Sequence, residues 1–360
     1  MDVARIRANA SAMAAYCQEH GLRWRPHVKT HKCTRIARLQ LDAGAQGLTV
    51  ATLREGEAMA SVCDDLLLAY PPVGDGPLER MAALADRVRL SLALDGARAL
   101  EGVAAKARSA GVRMGGLVEI DVGMGRMGVA DPAAAVDLAR AMAEAENVDY
   151  EGILFYPGHI RAPQDQQDSE LRELDGTLSR FLEALESAGL SPGTVSGGST
   201  PTLWRSHEVD GLTEIRPGMG ILHDRDMVAL GAAGPGDLAY AVLATVVSTA
   251  LPGQAVVDAG SKALAKEELR SEAEKGYGSL VERPEVVVAR VSEEHGVLDL
   301  SGTDWRPRVG DRVRVVPNHV CVSVNLQDGL WAGEGAMEGA VPPSPDSVAW
   351  WPLDARGRDR

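Results

Sequence analysis

Four cysteines in 360 residues, at positions 17, 33, 63 and 321, include no C-x-x-C pair. That excludes a zinc ribbon and a disulfide framework as the organising device of the fold, and the expectation is reduced thiols. No apolar run is long enough to span a bilayer. The charged start Met1-Asp2-Val3-Ala4-Arg5-Ile6-Arg7 is not followed by the apolar core of a signal peptide, so a cytoplasmic chain is expected. Net positive charge is missing too: 51 acidic against 37 basic residues leave −14 at pH 7. A field of that sign repels nucleic-acid backbones and anionic membranes, which excludes both as general partners. With 45% apolar and 24% charged residues, the rest is the composition of a soluble globular protein, long enough for one large barrel or two domains.

Against this acidic background one basic octamer stands out, Arg25-Pro26-His27-Val28-Lys29-Thr30-His31-Lys32. Taken alone it reads either as a solvated basic turn or as a place where neighbouring cations lower the pKa of a lysine amine and make it a nucleophile. Its position separates the two readings. From residue 22 to about 222, β-rich runs at 24–29, 47–52, 65–70, 88–94, 117–122, 152–156, 194–200 and 213–219 alternate with Ala- and Leu-rich stretches at 76–86, 96–110, 131–146 and 168–189. Gly, Pro or Asp flank these stretches where helices start and stop. Eight strand-then-helix units predict an α/β fold, a (β/α)₈ TIM-type barrel, preceded by a leading helix over 4–19.

After about residue 237 the pattern changes to β-branched runs at 241–250, 255–259, 286–292, 297–301 and 312–326, which predict a mostly β C-terminal domain. The expected organisation is a barrel over 1–230, a β domain over 237–340 and a tail over 341–360.

Functional groups of such barrels gather at the C-terminal ends of the strands. Lys29 closes the first strand, the Asp121-to-Arg126 loop follows the fifth, Tyr156-Pro157-Gly158-His159 ends the sixth, Ser196-Gly197-Gly198-Ser199-Thr200 the seventh and Arg216-Pro217-Gly218-Met219 the eighth. Free amides and small hydroxyl residues after strands seven and eight are what a phosphate monoester requires. A lysine on strand one facing that phosphate suggests pyridoxal 5′-phosphate. In the β domain, Pro317-Asn318-His319-Val320-Cys321 places an imidazole and a thiol at i and i+2, which on a strand face the same way and share one metal. Two ligands leave positions open for substrate, as a Lewis-acid centre requires. The competing reading is a buried His and Cys in a β core.

Together, RPHVKTHK after a helix, DVGMGRMG, FYPGHI, SGGSTPT, EIRPG, VVDAGSKAL and PNHVCVSVNL, in that order, resemble the D-threonine aldolase and D-serine dehydratase family of fold-type III, alanine-racemase-like pyridoxal-phosphate enzymes, over residues 4 to 332. The resemblance implies that Lys29 is the Schiff-base lysine and the base for the α-proton of a D-amino acid, and that Arg126 contacts the cofactor's phenolic oxygen. It places Tyr156 and His159 at the ring, Gly198, Ser199, Thr200, Gly218 and Met219 in the phosphate cradle, and Arg216 where alanine-racemase relatives hold the pyridine nitrogen. His319 and Cys321 would bind a divalent metal, zinc or else manganese or magnesium, and take part in catalysis. The implied activity is lysis of a 3-hydroxy-D-amino acid, with a His/Cys pair resembling the dehydratases more than the aldolases.

A dehydratase acting on D-serine or D-3-hydroxyaspartate would give a keto acid and ammonia, whereas a D-threonine aldolase would give glycine and an aldehyde. A racemase, a non-catalytic pyridoxal-phosphate carrier and a cofactor-free barrel are the remaining alternatives. Relatives of the fold suggest a homodimer. Family members begin with a strand of the form T-P-x-hydrophobic-D, and this chain begins inside the helix that follows it.

Overall fold

The computed structural model describes residues 1–269, 275–339, 341 and 343–357, so parts of the expected tail, 342 and 358–360, lie outside the described residues. By contacts the chain divides into two compact units, Ser11–Gly218 with Asp354–Arg360, and Met1–Ala10 with Met219–Leu353. Among the described residues no helix is long and apolar enough to cross a membrane.

The first unit is the expected barrel. Its strands are β1 (Arg23–Trp24), β2 (Leu48–Val50), β3 (Asp65–Leu68), β4 (Arg89–Leu94), β5 (Met114–Glu119), β6 (Val148–Leu154), β7 (Thr194–Gly197) and β8 (Glu214–Ile215). They form one parallel sheet in the order β1-β8-β7-β6-β5-β4-β3-β2. The seam between β1 and β2 is closed by the parallel bridge His27↔Thr49, with the Thr49 amide donating to Pro26 O at 2.9 Å and its hydroxyl to Arg25 O at 3.0 Å.

Buried strands in a parallel barrel must be apolar on both faces, and β3 (DLLL) and β4 (RLSLAL) are written that way. Leu67, Ala93, Leu117 and Leu154, one from each of β3 to β6, form one buried cluster. The helices Asp75–Ala85, Ala97–Ala110, Pro132–Glu144 and Asp168–Ser187 fall within two residues of the expected spans. Pro at the first position of Pro132–Glu144, capped by Asp131, and left-handed Gly111 after Ala97–Ala110 account for those ends.

The second unit holds a six-stranded sheet in the order β11-β14-β9-β10-β13-β12, with β9 (Val242–Ser248), β10 (Gln254–Val257), β11 (Gly278–Leu280), β12 (Val288–Val291), β13 (Gly296–Asp299) and β14 (Arg312–Pro317). Its core is aliphatic, with Val246, Val257, Val286, Val288, Leu298 and Val315 fully buried. The tail is less featureless than its composition implies, because Ala349–Pro352 pairs antiparallel with Gly329–Ala332.

In the second unit one expected strand is in part a helix. The run 312–326 is a strand only to Pro317, and Val320–Asn325 is a helix. Proline removes a ladder donor, and the Asp224 carboxylate accepts the Val320 N–H at 2.9 Å, so a cap outweighs the β-propensity of a Val-rich segment. His319 and Cys321 therefore do not sit on a strand.

Candidate active site

Strand β1 ends after two residues. Lys29 is carried by a 3₁₀ turn, Val28–Thr30, whose cap is His27, the Nδ1 atom accepting the Lys29 amide at 3.4 Å. The structure also disposes of most of the octamer's charge. Arg25 is paired with Glu214 (2.9 Å) and Asp65 (2.7 Å), and Lys32 with buried Glu55 at 2.6 Å. Burial, then the charge of Lys29, holds the His27 pKa well below the ordinary imidazole value. Only the sequence is strongly cationic here.

His31 is fully buried; its Nδ1 accepts the Cys33 N–H at 3.1 Å, so its Nε2–H donates to Gln40 Oε1 at 3.1 Å. Burial drives its pKa from 6.5 down to about 4. Between those values the unfolded chain binds a proton that the folded chain refuses. Stability is therefore complete above pH 6.5 and falls as the pH drops towards 4, by about 3 kcal/mol for this group. Urea midpoints measured across that range should fall less steeply for His31→Gln than for the wild type. Equal slopes would remove His31 as the cause.

The residues expected at the cofactor ring converge. Lys29 Nζ lies 5.5 Å from the centre of the Tyr156 ring, and the Arg126 guanidinium carbon lies 5.0 Å from it. The Arg126 loop is fixed by Asp121, whose Oδ1 accepts the amides of Gly123 (3.1 Å), Met124 (2.9 Å) and Gly125 (3.1 Å). His159 lies in the turn after Tyr156, its ring against the backbone of Gly123.

Arg216 is buried, donating from Nη1 to Ser196 Oγ at 2.6 Å and from Nη2 to Phe155 O at 2.8 Å. Ser196 in turn donates to Glu214 Oε1 at 2.6 Å. A chain of polar contacts thus runs through the barrel interior from Asp65 by way of Arg25, Glu214 and Ser196 to Arg216. Burial lowers the Arg216 pKa to about 10, so the group stays a cationic donor at neutral pH.

The turn after β7 fits a phosphate through its backbone. Gly198 has φ of +80°, open to glycine and strained for other residues, and the amides of Gly198 and Thr200 have no hydrogen-bond acceptor among the described residues. Ser199 is bonded within this turn. Its hydroxyl is 3.0 Å from Thr202 Oγ1 and its amide donates to the same atom at 3.3 Å, so it shapes the turn. Gly218 is required for close approach, since a Cβ there would stand 2.9 Å from His27 O and from Thr30 Oγ1. Met219 opens the 3₁₀ turn Met219–Ile221 in the other unit.

Glu119, which sequence reasoning missed, ends β5 and is 5% exposed. It makes no side-chain hydrogen bond among the described residues. Its register partner is Leu154, itself in register with Ser196 and through it with Glu214, so these residues share one face. Burial raises its pKa, opposed by Arg216 and Arg126.

In the second unit His319 caps the helix Val320–Asn325 and Cys321 lies in its first turn. The pair survives the change from strand to helix, because the Cys321 side chain hydrogen-bonds His319. Burial alone would lower the His319 pKa, but that hydrogen bond and the negative potential of Cys321, Asp224 and Glu267 raise it to about 10. An imidazole and a thiol in anionic surroundings form a donor set suited to a divalent cation. Among the described residues no cluster of three or more such side chains is assembled.

Asp224 is fully buried, its Oδ1 accepting Met227 N at 3.0 Å and its Oδ2 Val320 N at 2.9 Å. Burial raises its pKa to about 7. Neither Asp224 nor Glu267 had a recognisable sequence signal.

Comparisons with known proteins agree with this fold. The profile of "Alanine racemase, N-terminal domain" matches residues 1–226 and that of "Putative serine dehydratase domain" residues 239–331. D-threonine aldolase of an Arthrobacter species is 30% identical over 100% of this chain and 92% of its own. D-threo-3-hydroxyaspartate dehydratase of Delftia sp. (strain HT23) is 33% identical over 90% of each. The crystal structure of D-threonine aldolase from Filomicrobium marinum superposes with a TM-score of 0.88 at 30% identity, covering 99% of this chain and 94% of that one.

Proposed function

This chain belongs to the D-threonine aldolase and D-serine dehydratase family of alanine-racemase-like proteins, and on that premise we propose that it is a pyridoxal-phosphate- and divalent-metal-dependent lyase that dehydrates 3-hydroxy-D-amino acids. The observation that carries the site is the convergence of Lys29 and Arg126 on Tyr156 at the barrel rim. Lys29 would anchor the cofactor and take the α-proton. Arg126 would serve its phenolic oxygen, Arg216 its pyridine nitrogen, and the backbone of Gly198 and Thr200, with Gly218, its phosphate. When bound, pyridoxal phosphate supplies a sink for the electron pair left at Cα, and the metal a Lewis acid for the β-oxygen.

The choice of bond follows from the bases at hand. An aldolase must deprotonate the β-hydroxyl before Cα–Cβ cleavage. Around His319 and Cys321, however, Asp224 already accepts two backbone N–H groups and Glu267 is bonded to His319. Dehydration needs only Lys29 to take the α-proton as the β-oxygen leaves, and the product hydrolyses to a keto acid and ammonia. That commitment of the carboxylates, together with the softer Cys321 ligand, supports the dehydratase reading over the aldolase one.

Two measurements test this. Borohydride treatment of cofactor-loaded protein should leave a pyridoxyl mass increment on the peptide carrying Lys29. Incubation with D-serine, D-threonine and D-threo-3-hydroxyaspartate plus divalent metal should yield keto acid. Aldehyde and glycine as the main products would replace the dehydratase with an aldolase, and product from neither route would sink the lyase reading.

A further inference from the structure

Glu267 lies 52 residues before His319 in sequence, yet its Oε2 contacts His319 Nδ1. A carboxylate only accepts, so Nδ1 carries a proton and donates, which leaves Nε2 as the ring nitrogen open to a metal, its own proton being released on binding. The Glu267 segment is itself held in place. Asn318 donates from Nδ2 to Glu267 O at 3.0 Å and to Gly276 O at 2.7 Å, while its Oδ1 accepts from Arg225 Nη1 at 2.8 Å. The residue before the imidazole thus pins the backbone of the residue whose carboxylate orients the imidazole. Ser323, one turn further along the same helix, donates to Ala263 O at 2.6 Å and fixes a second point between the two segments.

We propose that Glu267 is the positioning residue of the metal pair, selecting the Nδ1–H tautomer of His319 and presenting Nε2 beside Cys321. The inference rests on the reading of His319 and Cys321 as metal ligands. Outer carboxylates of this kind raise the basicity of a ligating imidazole and fix its ring, and their loss weakens metal binding by about 10- to 100-fold.

The test is a zinc titration of metal-free protein against a competing chelator. Wild type is compared with Glu267→Gln, Glu267→Ala, Glu267→Asp and His319→Ala, and melting temperatures are recorded without metal. The expected result is one equivalent of zinc in the wild type, a dissociation constant raised about 10- to 100-fold in the Gln and Ala variants and partly restored by Asp, and metal-free melting temperatures close to wild type. A purely structural Glu267 would lower the melting temperature and leave zinc affinity alone, which overturns the proposal. Zinc loss as complete as in His319→Ala also overturns it, because Glu267 would then be a ligand itself. If the wild type binds no zinc, the metal reading fails and this inference with it. If the wild type binds and the Glu267 variants bind equally, only the role of Glu267 is wrong.

Discussion

Replacing Lys29 with alanine is expected to remove the borohydride-trapped pyridoxyl label and to lower product formation by about 10⁴-fold or more, since one side chain both anchors the cofactor and moves the α-proton. The phosphate-binding backbone is untouched by this change. The variant should therefore still bind pyridoxal phosphate reversibly, with weaker affinity. Lys29→Arg separates charge from nucleophilicity: it keeps a cation near Tyr156 but has no neutral amine at any accessible pH. It should be as inactive as the alanine variant. A small primary amine added to Lys29→Ala should restore measurable turnover by replacing the missing proton acceptor. Label on another lysine, or near-wild-type turnover in either variant, would show that Lys29 is not the anchor.

The barrel and its rim were legible because chemistry and topology coincide there. Strand-then-helix alternation fixes which end of each strand a residue occupies, and Lys29, Arg126, Tyr156 and Arg216 fall at that end by counting alone. The supporting shell was not legible, for a physical reason. Glu119, Glu214, Asp224 and Glu267 are single acids among 51, and nothing in local spacing distinguishes an acid paired with a partner 52, 96 or 189 residues away from a solvated one. The same blindness explains the overestimated positive field around Lys29. The partners that neutralise Arg25 and Lys32 come from β8, β3 and the helix Leu53–Met59. The His-x-Cys pair was found by an argument about strands, yet it lies at a helix start. At i and i+2 the two side chains still meet because Asp224 sets the first turn of that helix.

Removal of the metal should cost several kcal/mol of transition-state stabilisation, or about 10²- to 10⁴-fold in turnover, since the departing β-oxygen loses its Lewis acid. The cofactor label on Lys29 should persist, because the lysine and the metal pair lie in separate segments of the chain, 290 residues apart to His319. Chelated protein should regain activity with zinc, and His319→Ala should not. Cys321→Asp is the sharper probe. A carboxylate in place of a thiolate changes the donor set from soft to hard, so affinity should shift from zinc towards manganese or magnesium. If the committed state of Asp224 and Glu267 governs which bond breaks, keto acid should remain the product in Cys321→Asp whichever metal is bound. A switch to aldehyde and glycine would assign the choice of bond to the ligand at 321 instead. Undiminished turnover in protein whose metal content has been brought far below one equivalent would remove His319 and Cys321 from the chemistry altogether.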